Sequence, residues 1–185
     1  MRISDQSDTD LARLAGQGDP EAFGALVERH ALAARRVVRA ILRDDDDADD
    51  AVQDGVLAAW RAIDRYDPSR PFRPWLMRIV VNAALDSRRR RLVRRAEALS
   101  ETHEAPGIRP DRATDRALLH DRLREALATL PERQRIAVVM YDVEGYPHAE
   151  IAGVLGVPEG TVRSYVFHAR RALRQALSVF REEGT

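Results

Sequence analysis

Read only for hydrophobic and polar positions, the chain is helical almost throughout. Phe23, Leu26 and Val27, then Val37, Val38, Ile41 and Leu42, recur at spacings of three and four residues, the period of one helix face. Asp19 and Pro20 precede them as an N-cap and a first helical position. Val52, Val56, Ala59 and Ile63 form a second apolar stripe. Leu76, Ile79, Val80 and Ala83 form a third, in a helix expected over about 74–95. Tyr66 to Pro71, with prolines at 68 and 71, reads as the loop between those two helices. Residues 96–117 break the pattern. Glu101-Thr102-His103-Glu104-Ala105-Pro106-Gly107-Ile108-Arg109-Pro110 has few large apolar side chains and reads as an interdomain linker. Leu118, Leu119, Leu123, Leu127 and Leu130 resume the helical period, and Pro131 opens a further helix with Ile136, Val139 and Met140 inside. No segment alternates as a strand would, and no repeat of about 20–50 residues is present. The pattern predicts an all-α chain: two small helical domains joined by a flexible linker.

Composition narrows this. The 185 residues include no Cys, which removes disulfides and thiolate metal sites. No apolar run approaches ~18 residues, so no membrane insertion is expected. Met1 to Asp10 is polar and acidic, unlike a secretory signal, and a cytoplasmic location follows by default. The formal net charge is zero, from 30 basic and 30 acidic residues, which at first argues against a uniformly basic nucleic-acid binder. The distribution reverses that. Asp44 to Asp54 holds seven Asp and no base, Arg78 to Arg95 seven Arg and one acid, and Gly160 to Arg181 five Arg and no acid. Solvated helix faces would account for any one such run; three segregated runs point to separate charged surfaces with strong local fields. The acidic run also suits a helix N-terminus. It could meet a basic helix if the two domains packed together. Every basic residue is Arg, so each cationic contact is planar and capable of bidentate bonding.

His148 to Val166 carries the most specific spacing. With His148 as position 1, Ala152 is 5, Gly156 is 9 and Val162 is 15, while Ile151, Leu155 and Val157 fill apolar positions between. This is helix-turn-helix spacing: a small residue where the helices cross, glycine at the turn, a buried aliphatic in the second helix. Val162, Val166, Ala169, Leu173 and Leu177 form the buried stripe of that helix. Arg163, Phe167, Arg170, Arg171 and Arg174 share its outer face, with Ser164 and His168 beside it. Such a face suits the major groove, where Arg reads guanine or clamps phosphate. Phe167 fits a thymine methyl, or packing on the preceding helix.

Two further segments carry chemistry. Phe72-Arg73-Pro74-Trp75-Leu76-Met77-Arg78 leads to Asn82 and then Arg88-Arg89-Arg90-Arg91. Aromatic and Arg residues together suit unpaired bases, by stacking and phosphate attraction; Phe72 and Trp75 would equally serve a core. In Asp49 to Trp60, Leu57 and Trp60 lie off the apolar stripe with Asp50, Gln53 and Asp54 alongside, which suggests a protein-binding face. A calcium loop fails there, because position 6 after Asp45 is Asp50 rather than Gly, and position 12 is Val56 rather than Glu.

Taken in order, these segments resemble the sigma-70 family of bacterial transcription initiation factors, in particular the extracytoplasmic-function (ECF) group, over about residues 8–95 and 118–180. The motifs are Asp50-x-x-Gln53-Asp54-x-x-Leu57-x-x-Trp60; Phe72-x-x-Trp75-Leu76-x-x-Ile79-x-x-Asn82-x-x-x-Asp86-x-x-Arg89-Arg90; and Leu130-Pro131-x-x-x-Arg135 followed by the helix-turn-helix. The resemblance implies sigma domain 2 over 1–95, a linker over 96–117 and sigma domain 4 over 118–185. It implies that Asp50, Gln53, Asp54, Leu57 and Trp60 dock on the β′ clamp helices of core RNA polymerase, with domain 4 on the β flap. It assigns Arg78 and Asn82 to the −10 promoter element as it melts, with Arg89 and Arg90 following in the same motif, and the Tyr66–Phe72 loop to capture of a flipped base. Arg163, Ser164, Phe167 and His168 match the helix that contacts the −35 element, and Arg170 and Arg171 extend its basic face. Tyr165 and His168 stand where the family often carries Arg. The implied partners are core polymerase, promoter DNA and an anti-sigma factor. No cofactor, metal or catalysis is expected. A transcription regulator independent of polymerase would leave the acidic Leu57/Trp60 face and the Phe72–Asn82 segment unexplained. A sigma mimic that never touches DNA would leave the Arg face unexplained.

Overall fold

A computed structural model describes residues 6–98 and 115–182. The side chains of Arg95, Leu118, Leu119 and Arg181 lie outside the description, as do residues 99–114, on which most of the expected linker falls. Among the described residues there is no strand.

Among the described residues the first domain has four α-helices, α1 (Asp8–Gly16), α2 (Pro20–Leu42), α3 (Asp45–Ala62) and α4 (Phe72–Ala98), with a 3-10 turn at Ile63–Arg65. The hydrophobic pattern did not announce α1, because its polar N-terminus hides a short stripe. Ser7 caps it through its hydroxyl, and Leu11, Ala12 and Ala15 are buried. Asp19 caps α2 by accepting from the Glu21 and Ala22 amides, as its position before Pro20 implies. Arg43 ends α2 in the left-handed region, at φ 64°.

The Asp run has two local roles. Asp44 caps α3 by accepting from the Asp47 amide, and Asp45, Asp46 and Asp47 lie in the first turn, where the helix dipole favours carboxylates. Asp45 pairs with Arg39, Asp49 with Arg35, and Asp47 with Arg91. The acidic run therefore meets α2 and α4 of its own domain.

The buried stripe of α3 also differs from the expected one. Ala48, Ala51, Gly55 and Ala59 are buried, continuing to Ile63, whereas Val52 and Val56 are half-buried on the flank. Size decides this. A Cβ on Gly55 would lie 2.8 Å from the Val80 Cα, so α3 and α4 cross too closely for a larger side chain. On α4, Phe72, Leu76, Met77, Val80, Val81 and Ala84 face the core.

The second domain comprises α5 (Asp115–Thr129), α6 (Glu132–Val138), α7 (His148–Leu155) and α8 (Glu159–Glu182), with a π-helical turn at Val139–Val143. Arg135, 2% exposed, donates to the Leu127 and Leu130 carbonyls and so satisfies the C-terminus of α5. Gly156 closes α7 at φ 64°, ψ 39°, a conformation that glycine adopts without the Cβ penalty. Val162, Val166 and Ala169 are buried and Leu173 and Leu177 partly so. The helix-turn-helix stands as its spacing implies.

The domains are in contact. Arg135 Nε also donates to the Ala40 carbonyl at the end of α2, and Arg43 donates to the Ala128 carbonyl at the end of α5. Each arginine thus places positive charge at the C-terminus of a helix in the other domain. Arg36 lies 3.4 Å from Glu144, and Arg88 2.6 Å from Glu132. Arg73 donates to the Glu144 carbonyl, with its guanidinium 3.8 Å from the centre of the Tyr146 ring. Burial, aided by the charges of Arg43 and Arg88, pushes the Arg135 guanidinium down to about 10, so it remains charged at neutral pH. Burial pushes the Tyr146 phenol up to about 12.

Candidate polymerase and nucleic-acid interfaces

Helix α3 turns its small residues inward, which leaves Asp50, Gln53, Asp54 and Leu57 on the outside. Leu57 is 51% exposed, with Asp50, Gln53 and Asp54 exposed around it. Trp60, expected as its exposed companion, is half-buried, with its ring 5.0 Å from that of Phe23 on α2. Leu57 is the most exposed apolar side chain of this face, with Trp60 only partly accessible beside it. Asp50 and Asp54 also line one wall of an open groove of 1540 Å³ whose other wall is Arg88 to Arg94 of α4. Arg89 and Arg90 are exposed there, Arg89 lying 3.3 Å from Asp86 on its own helix. The acidic face and the C-terminal basic run of α4 are therefore neighbours.

Earlier on α4, Arg78 and Asn82 are exposed one turn apart, as the spacing of four residues requires. Tyr66 and Phe72, read from the sequence as contacts to DNA, are 7% and 2% exposed. Their rings meet edge to face at 5.5 Å, and Trp75 lies 5.0 Å from Tyr66 and 5.4 Å from Phe72. Aromatic side chains gain most from this mutual burial. The surface between them belongs to Asp67 to Pro71, all exposed. Below the cluster, the His30 ring is 5.9 Å from Phe72, and its Nε2 is 2.7 Å from Asp8 Oδ2. Burial works to raise the Asp8 carboxyl, but hydrogen bonds and charge from Arg29 and His30 prevail and hold it below the usual carboxylate range.

In the second domain, Arg163, Ser164, Phe167, His168, Arg170, Arg171 and Arg174 are all exposed on α8. Phe167 is 63% exposed, so it does not serve as packing for α7. A pocket of 560 Å³ opens here, lined by Arg163, Phe167, Arg170 and Arg171 together with Tyr141 and His148. The last two were not singled out for this face. Tyr141 stacks on His148 at 4.2 Å, and Arg170 lies 5.1 Å above the Tyr141 ring while donating through Nε and a terminal nitrogen to Asp142. No spacing in the chain announces that acid, because the turn that brings it to α8 is π-helical. Arg163 pairs with Glu159 one turn back, at 2.6 Å.

The fold and these faces define a two-domain helical protein with a helix-turn-helix in one domain and an acidic, leucine-centred face on the other. The description "Sigma-70 region 2" matches residues 26–93, and "Sigma-70, region 4" matches residues 120–173. The chain is 37% identical to the RNA polymerase sigma factor NccH of Alcaligenes xylosoxydans xylosoxydans, across 92% of this chain and 94% of that protein. It is also 37% identical to the ECF RNA polymerase sigma factor SigM of Mycobacterium tuberculosis, across 94% and 86%. Among solved structures, CnrH in complex with the cytosolic domain of CnrY aligns at a TM-score of 0.73 with 33% identity, across 94% of this chain and 99% of that one. The sigma factor RpoE in complex with the anti-sigma factor NepR, from Bartonella quintana, aligns at 0.71 with 25% identity, across 85% and 97%. The chain belongs to the sigma-70 family of RNA polymerase sigma factors, in its ECF group. Binding core polymerase and recognising promoters are general to that family.

Proposed function

We propose that the first domain, residues 1–95, docks on core polymerase through Asp50, Gln53, Asp54 and Leu57 and reads the melted −10 element through the loop before α4 and through Arg78, Asn82, Arg89 and Arg90. The second domain, 118–185, reads the −35 duplex through Arg163, Ser164, Phe167 and His168, with Arg170 and Arg171 on the flanking phosphates. Residues 96–117 join the two. Trp60 acts from beneath the docking face, holding α3 on α2. The observation that carries this reading is the pairing, in one chain, of an exposed leucine framed by acids with an exposed phenylalanine framed by arginines. The first face repels DNA and suits protein; the second attracts it.

In this reading the protein acts in the cytoplasm, without catalysis or cofactor, as a specificity subunit of the polymerase. Its further partner is an anti-sigma factor, a role supported by the RpoE–NepR complex. Among the described residues no helix is long and apolar enough to cross a membrane. The test is transcription in vitro with purified core polymerase and fragments of the source genome. Adding the protein yields discrete promoter-specific transcripts. If none appears on any fragment, the reading fails.

A further inference from the structure

The loop between the two interfaces of the first domain is built with more care than a surface connection needs. Tyr66 starts it and Phe72 ends it, and both rings are rooted in one cluster with Trp75. The exposed residues between them are held by three hydrogen bonds. The Asp67 carboxylate accepts from the Ser69 amide at 3.0 Å, and the Asp67 carbonyl from the Arg70 amide at 3.0 Å. From below, the Tyr66 hydroxyl donates to the Arg70 carbonyl. A phenylalanine would fill the same space. The hydroxyl therefore has a purpose that packing does not explain, and its partner is backbone at the tip of the loop.

We propose that Tyr66 is a positioning residue for capture of a flipped promoter base: its ring belongs to the core, and its hydroxyl fixes the height and orientation of the Asp67–Pro71 tip over the aromatic cluster. The inference rests on the −10 role given to this loop above and adds how the loop is held. A base that leaves the stack loses its stacking and pairing, and a receiving loop that is already ordered does not add its own ordering entropy to that loss. The hydroxyl is well placed to remain a donor. Burial, with the nearby Asp67 and Asp8 carboxylates, raises its pKa above the ordinary value.

The experiment uses full-length Tyr66→Phe assembled with core polymerase. Fork templates carry 2-aminopurine at successive positions of the −10 element, where fluorescence rises as a base unstacks. Affinity for a −35 duplex and the thermal midpoint are measured in parallel. One hydrogen bond is worth ~1 kcal/mol, so the apparent affinity for the fork falls roughly five-fold and the fluorescence rise shrinks with it. The −35 affinity stays as in the parent, and the midpoint falls by no more than the few degrees that one hydrogen bond accounts for. Asp67→Ala, which removes the carboxylate that accepts from the Ser69 amide and pairs with Arg70, gives the same selective loss. Tyr66→Phe indistinguishable from the parent on fork templates overturns the inference. So does a loss matched by an equal loss of −35 binding, with a midpoint lowered beyond what one hydrogen bond accounts for, since that is a core defect. Promoter-specific transcription with no fluorescence rise at any −10 position in the parent removes the role of the loop itself. Absence of specific transcription removes the wider reading instead, so the two failures are distinguishable.

Discussion

At the scale of single residues, the same side-chain chemistry serves inside and outside within one turn of helix. Leu57 and Trp60 lie three positions apart on α3. One is 51% exposed, and the other is half-buried against Phe23. A sequence pattern places both off the apolar stripe and cannot separate them, because Trp60 finds its partner on a different helix. The two therefore answer differently to substitution. Leu57→Ala with Asp54→Arg should weaken core-polymerase binding at least ten-fold in a fluorescence titration and leave the unfolding transition unmoved. Trp60→Ala should lower stability by about 2–3 kcal/mol, less than full burial of a tryptophan would imply, and should weaken core binding only as far as α3 shifts. Similar behaviour of the two variants would mean that the docking face extends under Trp60. Tyr66 and Phe72 make the same point from the other side. Their place among Arg residues reads as chemistry for nucleic acid, yet both are core, and only the loop they carry is surface.

At the scale of elements, much of the fold is legible. The cap at Asp19, the acidic start of α3, the glycine at position 156 and the stripe of α8 are local signals, and local signals survive folding. What is not legible depends on which neighbour a helix meets. On α3 the larger residues, Val52 and Val56, suggest the buried face, but Ala48, Ala51, Gly55 and Ala59 occupy it. Small residues carry little hydrophobic signal and mark close approach instead, and the approach exists only once α4 is in place. Gly55→Ala should be costly although alanine is the better helix former. A Cβ would stand 2.8 Å from the Val80 Cα and 2.9 Å from its Cγ2. The helices must part, and overpacking of this kind costs typically about 1–3 kcal/mol. Chemical denaturation is the measurement. A gain of the ~1 kcal/mol expected from helix propensity alone would show that α3 and α4 are further apart than described. At the −35 face, the arginines were legible from their spacing. The Tyr141–His148 stack and Asp142 beside Arg170 were not, because a π-helical turn shifts the register just before α7.

At the scale of the whole molecule, the two domains meet through arginines whose partners are mostly carbonyl groups. Such contacts leave no charge pattern to read, since a helix C-terminus is acidic only through its dipole. Opposite charge runs suggest instead that residues 44–54 join the domains, but Asp45, Asp47 and Asp49 pair with Arg39, Arg91 and Arg35 of α2 and α4, and Arg124 of α5 adds only its charge near Asp45. The contact has a functional consequence under the proposed reading. The −10 and −35 elements lie about 25 base pairs apart, roughly 85 Å along the duplex at 3.4 Å per pair. A compact chain of 185 residues has a radius of gyration of about 16 Å, too small to reach both. The domains must separate, and residues 99–114, extended, can reach on the order of 50 Å. Glu144 is where the contact is most sensitive to charge. Its side chain is 6% exposed and 3.4 Å from Arg36, and its carbonyl receives Arg73. Glu144→Arg brings a third guanidinium beside Arg36 and Arg73 and removes the carboxylate that faces Arg36. With no native cysteine, spin labels at Leu32→Cys and Leu123→Cys, exposed positions on α2 and α5, report the interdomain distance alone. The free parent protein should give one narrow distribution. Glu144→Arg should move it to longer distances and broaden it, with unchanged helical content. Core polymerase should lengthen the distance in both proteins. A parent distribution already as broad as that of Glu144→Arg would show that the arginine contacts do not hold the domains together in solution.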